Sequence, residues 1–203
     1  MNQNFQQPNE ALWEKLKHGD CAAFEQLYRL YATDLFNYGS KLTSDANLLK
    51  DSIQDIFIEV WKYRETIGIA RHPKFYLFKT LRHRILRNSN AVPLFLDNYC
   101  NSAIFEFPCY ETPENLAIQL EQNNLNTKII QDLLCKLSSR QREAIHLHFY
   151  HNFSYVEMTA LMGMNYQSIL NLMQRALKTL RQEAVKFPAI SFLVLIGLVA
   201  FFA

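Results

Sequence analysis

The segment from Ser154 to Leu180 predicts two short helices joined by a tight turn. Ser154 followed by Glu157 is typical of a helix start in which the two residues bond each other's backbone. Gly163 favours a break after the first helix, because glycine accepts a left-handed backbone, and Asn165 is suited to cap the second helix. Apolar residues recur at helical spacing, which predicts an inward face at Val156, Ala160, Leu161, Ile169, Met173, Ala176, Leu177 and Leu180. Such a pair is a helix-turn-helix, whose second helix has the dimensions of the DNA major groove.

The rest of the chain predicts an all-helical protein. It contains only five glycines among 203 residues, and alternating strand-like patterns are few. Hydrophobic residues make up 49% of the chain, which is enough to build packed cores in one or two small domains.

The residues before this pair extend the pattern. Ser138 with Gln141 predicts another capped helix, running to about Tyr150. Together with the pair, this segment resembles region 4, the upstream promoter-binding domain of bacterial sigma factors. The resemblance rests on Leu137, Arg142, Ser154, Tyr155, Glu157, Leu161, Gly163, Arg175, Ala176 and Leu177.

A separate segment, Leu27 to Glu65, resembles region 2 of sigma factors of the extracytoplasmic-function group. In that family the corresponding helix docks on the clamp of the beta-prime subunit of core RNA polymerase. Asp51, Gln54 and Asp55 share one helix face by their spacing, and their polar groups can pair with a basic partner. The resemblance implies a polymerase-binding set of Asp51, Gln54, Asp55, Phe57 and Trp61.

The next segment, His72 to Arg87, resembles the family's helix that recognises and opens the −10 promoter element. No acidic residue occurs from Thr66 to Leu96, and aromatic residues interleave with the cations. Cations bind phosphates and aromatic faces stack on unpaired bases, which suits strand opening. Of Phe75, Phe78 and Leu81, at least two are expected in the core. The DNA-binding residues predicted here are Lys79, Arg82, Arg84 and Arg87.

The second helix of the helix-turn-helix departs from the family at its surface. Leu170 and Leu172 stand where the family usually has a Lys and an Arg, which predicts weaker phosphate binding at the −35 element. These leucines are suited either to thymine methyls or to a protein surface. The residues expected to face −35 DNA are Tyr166, Gln167, Ser168, Asn171, Gln174 and Arg175.

Charge and composition divide the chain into four parts. We expect region 2 at residues 11–87, an acidic linker at 88–124, region 4 at 125–186 and a hydrophobic tail at 187–203. The tail contains no charged residue and follows basic residues, so three alternatives stay open: a membrane anchor, a helix packed on protein, or a disordered end. As an anchor it would hold the chain on the inner membrane.

The cysteines and histidines predict no metal or cofactor. The four cysteines contain no C-x-x-C motif, and the chain shows no signal sequence, which indicates a reduced, cytoplasmic protein. His148 and His151 are spaced as metal ligands, but zinc needs a fuller ligand set than these provide.

The sequence therefore predicts an alternative sigma factor. It would bind core RNA polymerase and promoter DNA, and the resemblance adds an anti-sigma factor as a further partner. We expect no enzyme activity, since no catalytic constellation is present. The alternatives are a helix-turn-helix regulator that does not dock on polymerase, and a membrane-tethered protein that binds a partner.

Overall fold

The computed structural model describes residues 7–67, 72–88 and 130–185, and every regular element in these ranges is helical. The predicted linker and the hydrophobic tail lie outside the described residues. The described helices fall into two compact units, the first containing α1 to α4 and the second containing α5 and α7. The helices are α1 (Gln7–Lys17), α2 (Cys21–Gly39), α3 (Ala46–Lys62), α4 (Pro73–Asn88), α5 (Ser139–Ile145), α6 (Tyr155–Met162) and α7 (Tyr166–Ala184).

In the first unit, α2 packs against α1, α3 and α4. Asp20 and Asp45 cap α2 and α3, each accepting two backbone N–H groups with its carboxylate. Gly39 lies at the C-terminal end of α2, where the helices approach closely. A Cβ at this position would lie 2.2 Å from a methyl carbon of Leu49, so the packing requires glycine. Beneath this contact, the rings of Tyr38 and Phe78 stack with centroids 5.1 Å apart.

One face of α3 and one face of α4 pack into the core of this unit. Ile53, Ile56, Phe57 and Val60 are buried, in agreement with their spacing along the helix. On α4, Phe78 and Leu81 are fully buried and Phe75 is half-buried, which confirms that at least two of the three belong to the core. The polar faces of both helices are consequently directed away from this core. Burying these apolar side chains removes them from water, the main favourable term in folding.

The described part of the second unit begins with helical residues 130–135 and continues into α5. The predicted capping box is present: the Ser138 side chain accepts the Gln141 N–H, and the Gln141 side chain accepts the Ser138 N–H. The helix then changes to a π-helix, His146–Tyr150, which ends with the N–H of His151 donating to the His146 carbonyl at 3.3 Å. The single α-helix expected through Tyr150 is therefore two consecutive helical forms.

The helix-turn-helix has the predicted ends. Glu157 accepts hydrogen bonds from both the N–H and the hydroxyl of Ser154, at 2.8 and 2.7 Å. Gly163 has a φ of +65°, the left-handed conformation at which a side chain would be strained. The Asn165 side chain accepts the N–H of Ser168 at 2.7 Å and caps α7.

Four of the five residues predicted for the inward face of α7 are buried, Ile169, Met173, Ala176 and Leu177, and the fifth, Leu180, is half-buried. The inward face predicted for α6 is partly wrong. Val156 is 68% exposed and Ala160 is also exposed, whereas Met158 and Leu161 are buried. Helix α6 has only eight residues, so a small error in its rotation exchanges inward and outward positions.

Two further features concern the cysteines and the membrane. Cys21 is a free, exposed thiol. Within the part of the chain that the structure describes, no helix combines the length and the apolar character needed to cross a bilayer.

Candidate polymerase and nucleic-acid interfaces

The exposed face of α3 carries three of the five residues predicted to bind polymerase, together with one that was not predicted. Asp51, Gln54 and Asp55 are all exposed and lie along one side of the helix. Ile58 continues the same row and is 54% exposed. An exposed apolar side chain bordered by carboxylates is typical of a protein-binding surface, because it adds apolar burial to charge complementarity. The spacing of Ile58 from Asp51 and Asp55 was the signal for it in the sequence.

Phe57 and Trp61 occupy a different position from the acidic row. Phe57 is only 3% exposed, and its ring packs against those of Phe24 and Tyr28 at centroid distances of 6.1 and 4.8 Å. Trp61 is half-buried, with the Arg64 guanidinium 4.9 Å from its ring centroid. Phe57 therefore supports the surface from beneath, and Trp61 lies at its edge.

Helix α4 presents a basic row to solvent. Lys79 and Arg87 are exposed and Arg82 is half-buried. His83 is exposed midway between Lys79 and Arg87, four residues from each, and so belongs to the same row. The sequence prediction of DNA-binding residues did not include His83, although its spacing was available. Near the start of the row, the Lys79 ammonium lies 5.8 Å from the centroid of the Phe75 ring.

Arg84 differs from the other predicted DNA-binding cations. Its guanidinium pairs with Asp55 at 3.1 Å and with Glu59 at 2.5 Å, both on α3. Only 23% of its side chain is exposed. Lys74, which also belongs to the basic segment, pairs with Asp34 on α2 at 3.5 Å. The acid-free run in the sequence thus contains cations that join helices as well as cations that face solvent.

The surface of α7 is mostly uncharged. Tyr166, Gln167, Asn171, Gln174 and Arg175 are exposed, and the Gln167 side-chain amide donates to that of Asn171 at 3.2 Å.

The remaining residues of this surface are less exposed. Ser168 is half-buried next to the capping Asn165, and Leu170 and Leu172 are half-buried as well. The amide groups have the donors and acceptors needed for adenine, and the leucines extend the surface with apolar contact area.

The start of α6 adds a contact between Tyr155 and His148 that the sequence analysis did not predict. The His148 ring lies 4.8 Å from that of Tyr155, and His148 Nδ1 is 2.9 Å from the Phe153 carbonyl oxygen. Burial raises the pKa of the Tyr155 hydroxyl, and interaction with Tyr166 raises it further. The contact with His148 fixes the position of the N-terminus of α6. No group of three or more His, Cys, Asp or Glu side chains suited to a metal ion occurs among the described residues.

Two family models match separate parts of this chain. Residues 27–89 match the family model for sigma-70 region 2, and residues 127–180 match that for sigma-70 region 4. The extracytoplasmic-function sigma factor SigL of Mycobacterium tuberculosis is 24% identical over 163 residues, which is 80% of this chain and 89% of SigL. The chain belongs to the extracytoplasmic-function group of the sigma-70 family. As a sigma factor it directs transcription initiation, binds core RNA polymerase and DNA, and is not an enzyme.

This sigma factor is also similar to a second sequence relative and to a solved structure. SigK of Mycobacterium bovis BCG, another extracytoplasmic-function sigma factor, is 24% identical over 176 residues, covering 85% of this chain and 91% of SigK. The structure of CnrH in complex with the cytosolic domain of CnrY has a TM-score of 0.54 and 19% identity, covering 85% of this chain and 94% of CnrH. This likeness supports the all-helical fold. The sequence prediction of an extracytoplasmic-function sigma factor is thus confirmed.

Proposed function

We propose that this sigma factor docks on the beta-prime clamp of core polymerase through the exposed face of α3 and opens promoter DNA with the exposed row of α4. The observation that carries the proposal is the presence of an acidic row and a basic row of exposed side chains on neighbouring helices of one unit. Asp51, Gln54 and Ile58 form an acidic and apolar row, and Lys79, His83 and Arg87 form a basic row on the helix packed beside it. An acidic surface suits a basic protein partner, and a basic surface suits phosphates.

In this arrangement Phe57 acts indirectly, by supporting the docking face from the core. The separation of roles is chemically consistent, because docking requires a stable patch and strand opening requires cations that remain available to DNA. Lys79 and Arg87 would contact phosphates, and the ring of Phe75 is placed to approach an unpaired base. Arg82 would contribute from the side of the row. The predicted limits of region 2, residues 11–87, remain part of this proposal.

Docking is tested by replacing Asp51 with Lys and Ile58 with Ala in one variant. We expect at least tenfold weaker binding to purified core polymerase, because the change reverses one charge and removes the exposed apolar contact at the end of the row. Glu14→Lys, at an exposed acid on α1, is the matched control and should bind as the parent does. Circular dichroism verifies that helicity is retained. Unchanged binding by the double variant would place the docking surface elsewhere.

We propose that region 4, expected within residues 125–186, binds the −35 element through α7. The exposed amides of Gln167, Asn171 and Gln174 would contact base edges, and Arg175 and Tyr166 would contact the backbone. Ser168 contributes through the helix N-terminus, where its N–H is already held by Asn165. Footprinting of the holoenzyme on promoter fragments with single −35 substitutions is the direct test. Asn171→Ala should relax the preference at one base pair while the remaining positions are still protected.

The hydrophobic tail and a regulatory partner complete the proposal. Residues 187–203, which lack charge, would hold the protein at the inner face of the cytoplasmic membrane. Carbonate-washed membranes should retain the full chain and release a version ending at Lys186; solubility of both would contradict the anchor.

Since CnrH forms a complex with the cytosolic domain of CnrY, we propose an anti-sigma factor as a further partner of this chain. Co-purification from the source cells with a tagged full chain would test this partner, provided that the same band is absent from a control lacking residues 130–203.

A further inference from the structure

Arg84 connects the proposed polymerase-binding helix to the proposed DNA-binding helix. Its two guanidinium nitrogens reach two carboxylates that lie one turn apart on α3, at 3.1 Å from Asp55 and 2.5 Å from Glu59. A planar guanidinium that spans two carboxylates has a restricted orientation, unlike an ammonium that pairs with one. The two ion pairs therefore hold one position on α4 against two positions on α3.

The surroundings of Arg84 also separate it from the solvent-facing row. Its side chain is 23% exposed, and its neighbour Ile85 is fully buried. Asp55 and Glu59 are 61% and 46% exposed at the side chain, so the ion pairs lie at the edge of the contact between α3 and α4. Apolar packing holds the two helices together but is not directional. Charge-assisted hydrogen bonds are directional, and these are placed to limit sliding or rotation of α4 on α3.

We propose that Arg84 is a positioning residue for promoter opening and not a DNA ligand. By holding Asp55 and Glu59, it fixes the direction in which Lys79, His83 and Arg87 project from a unit that is docked through α3. The inference rests on the proposed function, because it requires α3 to face polymerase and α4 to face DNA. It also explains why a cation in the middle of a basic segment is turned towards carboxylates.

The first experiment measures how holoenzyme binding to a promoter fragment depends on salt. Each lost phosphate contact lowers the slope of log affinity against log salt by about 0.7 to 0.9. Lys79→Gln should lower the slope by that amount. Arg84→Gln should leave the slope unchanged and reduce the rate of open-complex formation by about fivefold, the size expected for a partly exposed charge-assisted network. A lower slope for Arg84→Gln would overturn the proposal.

The second experiment exchanges the charges of the pair. Arg84→Glu alone places three carboxylates together and should reduce open-complex formation at least tenfold. Adding Glu59→Arg restores an opposite-charge pair in reverse orientation, and should return the rate to within about threefold of the parent. A residue that contacts phosphate cannot be rescued in this way, because the carboxylate at position 84 would repel DNA.

Stability measurements keep the result interpretable if a variant folds poorly. Urea unfolding should show the same pattern as opening: loss in Arg84→Glu and recovery in the exchanged pair. Recovery of stability without recovery of opening would overturn the proposal, since Arg84 would then act on DNA itself. If Lys79→Gln also leaves the salt slope unchanged, the proposed DNA-binding row is wrong. The charge exchange still decides the role of Arg84 in that case.

Discussion

The two helices proposed to contact DNA, α4 of region 2 and α7 of region 4, have similar buried faces and different exposed faces. On α4 the solvent-facing row contains Lys79, His83 and Arg87. On α7 the corresponding surface contains side-chain amides and only one cation, Arg175, among its predicted DNA-binding residues. Cations bind phosphates regardless of sequence, whereas amides contact base edges. If these side chains contact DNA as proposed, region 2 would supply most of the salt-dependent affinity, and region 4 would supply base discrimination with less affinity.

The buried faces explain why this difference does not disturb the fold. Leu77, Phe78, Leu81 and Ile85 are fully buried on α4, and Ile169, Met173 and Ala176 are buried on α7. Each helix is therefore held by an apolar face, which leaves the opposite face free to vary. Replacement of a Lys and an Arg by Leu170 and Leu172 is consistent with this separation.

The largest expected effect follows from removing charge from α4. The combined change Lys79→Gln and Arg87→Gln should nearly abolish promoter opening and lower the salt slope by about 1.4 to 1.8, as expected for two phosphate contacts. Filter binding across a salt series, with permanganate detection of unpaired thymines, measures both effects. Lys15→Gln with Arg29→Gln removes two exposed cations from α1 and α2 and serves as the control. An equal change of slope in the control would mean that the effect reflects net charge only.

Local signals in the sequence were sufficient for much of the fold. The capping residues Ser138, Ser154 and Asn165 and the left-handed Gly163 were predicted because their chemistry acts within a few residues of the chain. Apolar spacing likewise gave the buried face of α7. The identity of the family came from two motif blocks in the correct order, which composition alone does not provide.

Features that depend on tertiary contacts were not predictable in the same way. Arg84 was assigned to DNA because the local segment is basic, but its partner Asp55 lies 29 residues earlier in the chain. The burial of Phe57 follows from its spacing along α3, but its ring contacts with Phe24 and Tyr28 depend on the packing of α2 on α3. In the π-helix each hydrogen bond spans five residues instead of the four of an α-helix, and no local signal marks it.

A smaller effect is expected from adding charge to α7. Leu170→Lys and Leu172→Lys, tested singly, should each tighten binding to upstream duplex DNA a few-fold and raise the salt slope by up to about 0.9 if the new ammonium reaches a phosphate. Val185→Lys adds the same charge at the exposed residue after α7 and is the matched control. If a leucine variant loses stability or the ability to bind a protein partner, without gaining DNA affinity, that leucine serves a protein contact. The contrast between the two regions would then reflect different partners.

The smallest effect at neutral pH, and one that separates the stabilities of the two regions, concerns buried tyrosines. Burial, with a further contribution from Asp34, raises the pKa of Tyr31 in region 2 to about 12 from 10.0. The folded state therefore disfavours ionised Tyr31, so its contribution to stability is complete below pH 10 and is lost as the pH rises towards about 12. Because Tyr31 is 3% exposed, the full loss amounts to about 3 kcal/mol.

Tyr31→Phe removes this ionisation and should make the urea midpoint of region 2 less sensitive to pH in that alkaline interval, with little change at neutral pH. Tyr155 in region 4 has a pKa raised by burial and by Tyr166, so Tyr155→Phe should act in the same direction on region 4. Tyrosinate absorbance followed alongside circular dichroism distinguishes ionisation from unfolding. If the alkaline loss of region 2 stability is identical in the parent and in Tyr31→Phe, another group causes it. Tyr31 is the more deeply buried of the two tyrosines and should resist ionisation more strongly, so Tyr31→Phe is expected to have the larger effect. A larger effect of Tyr155→Phe would contradict this order.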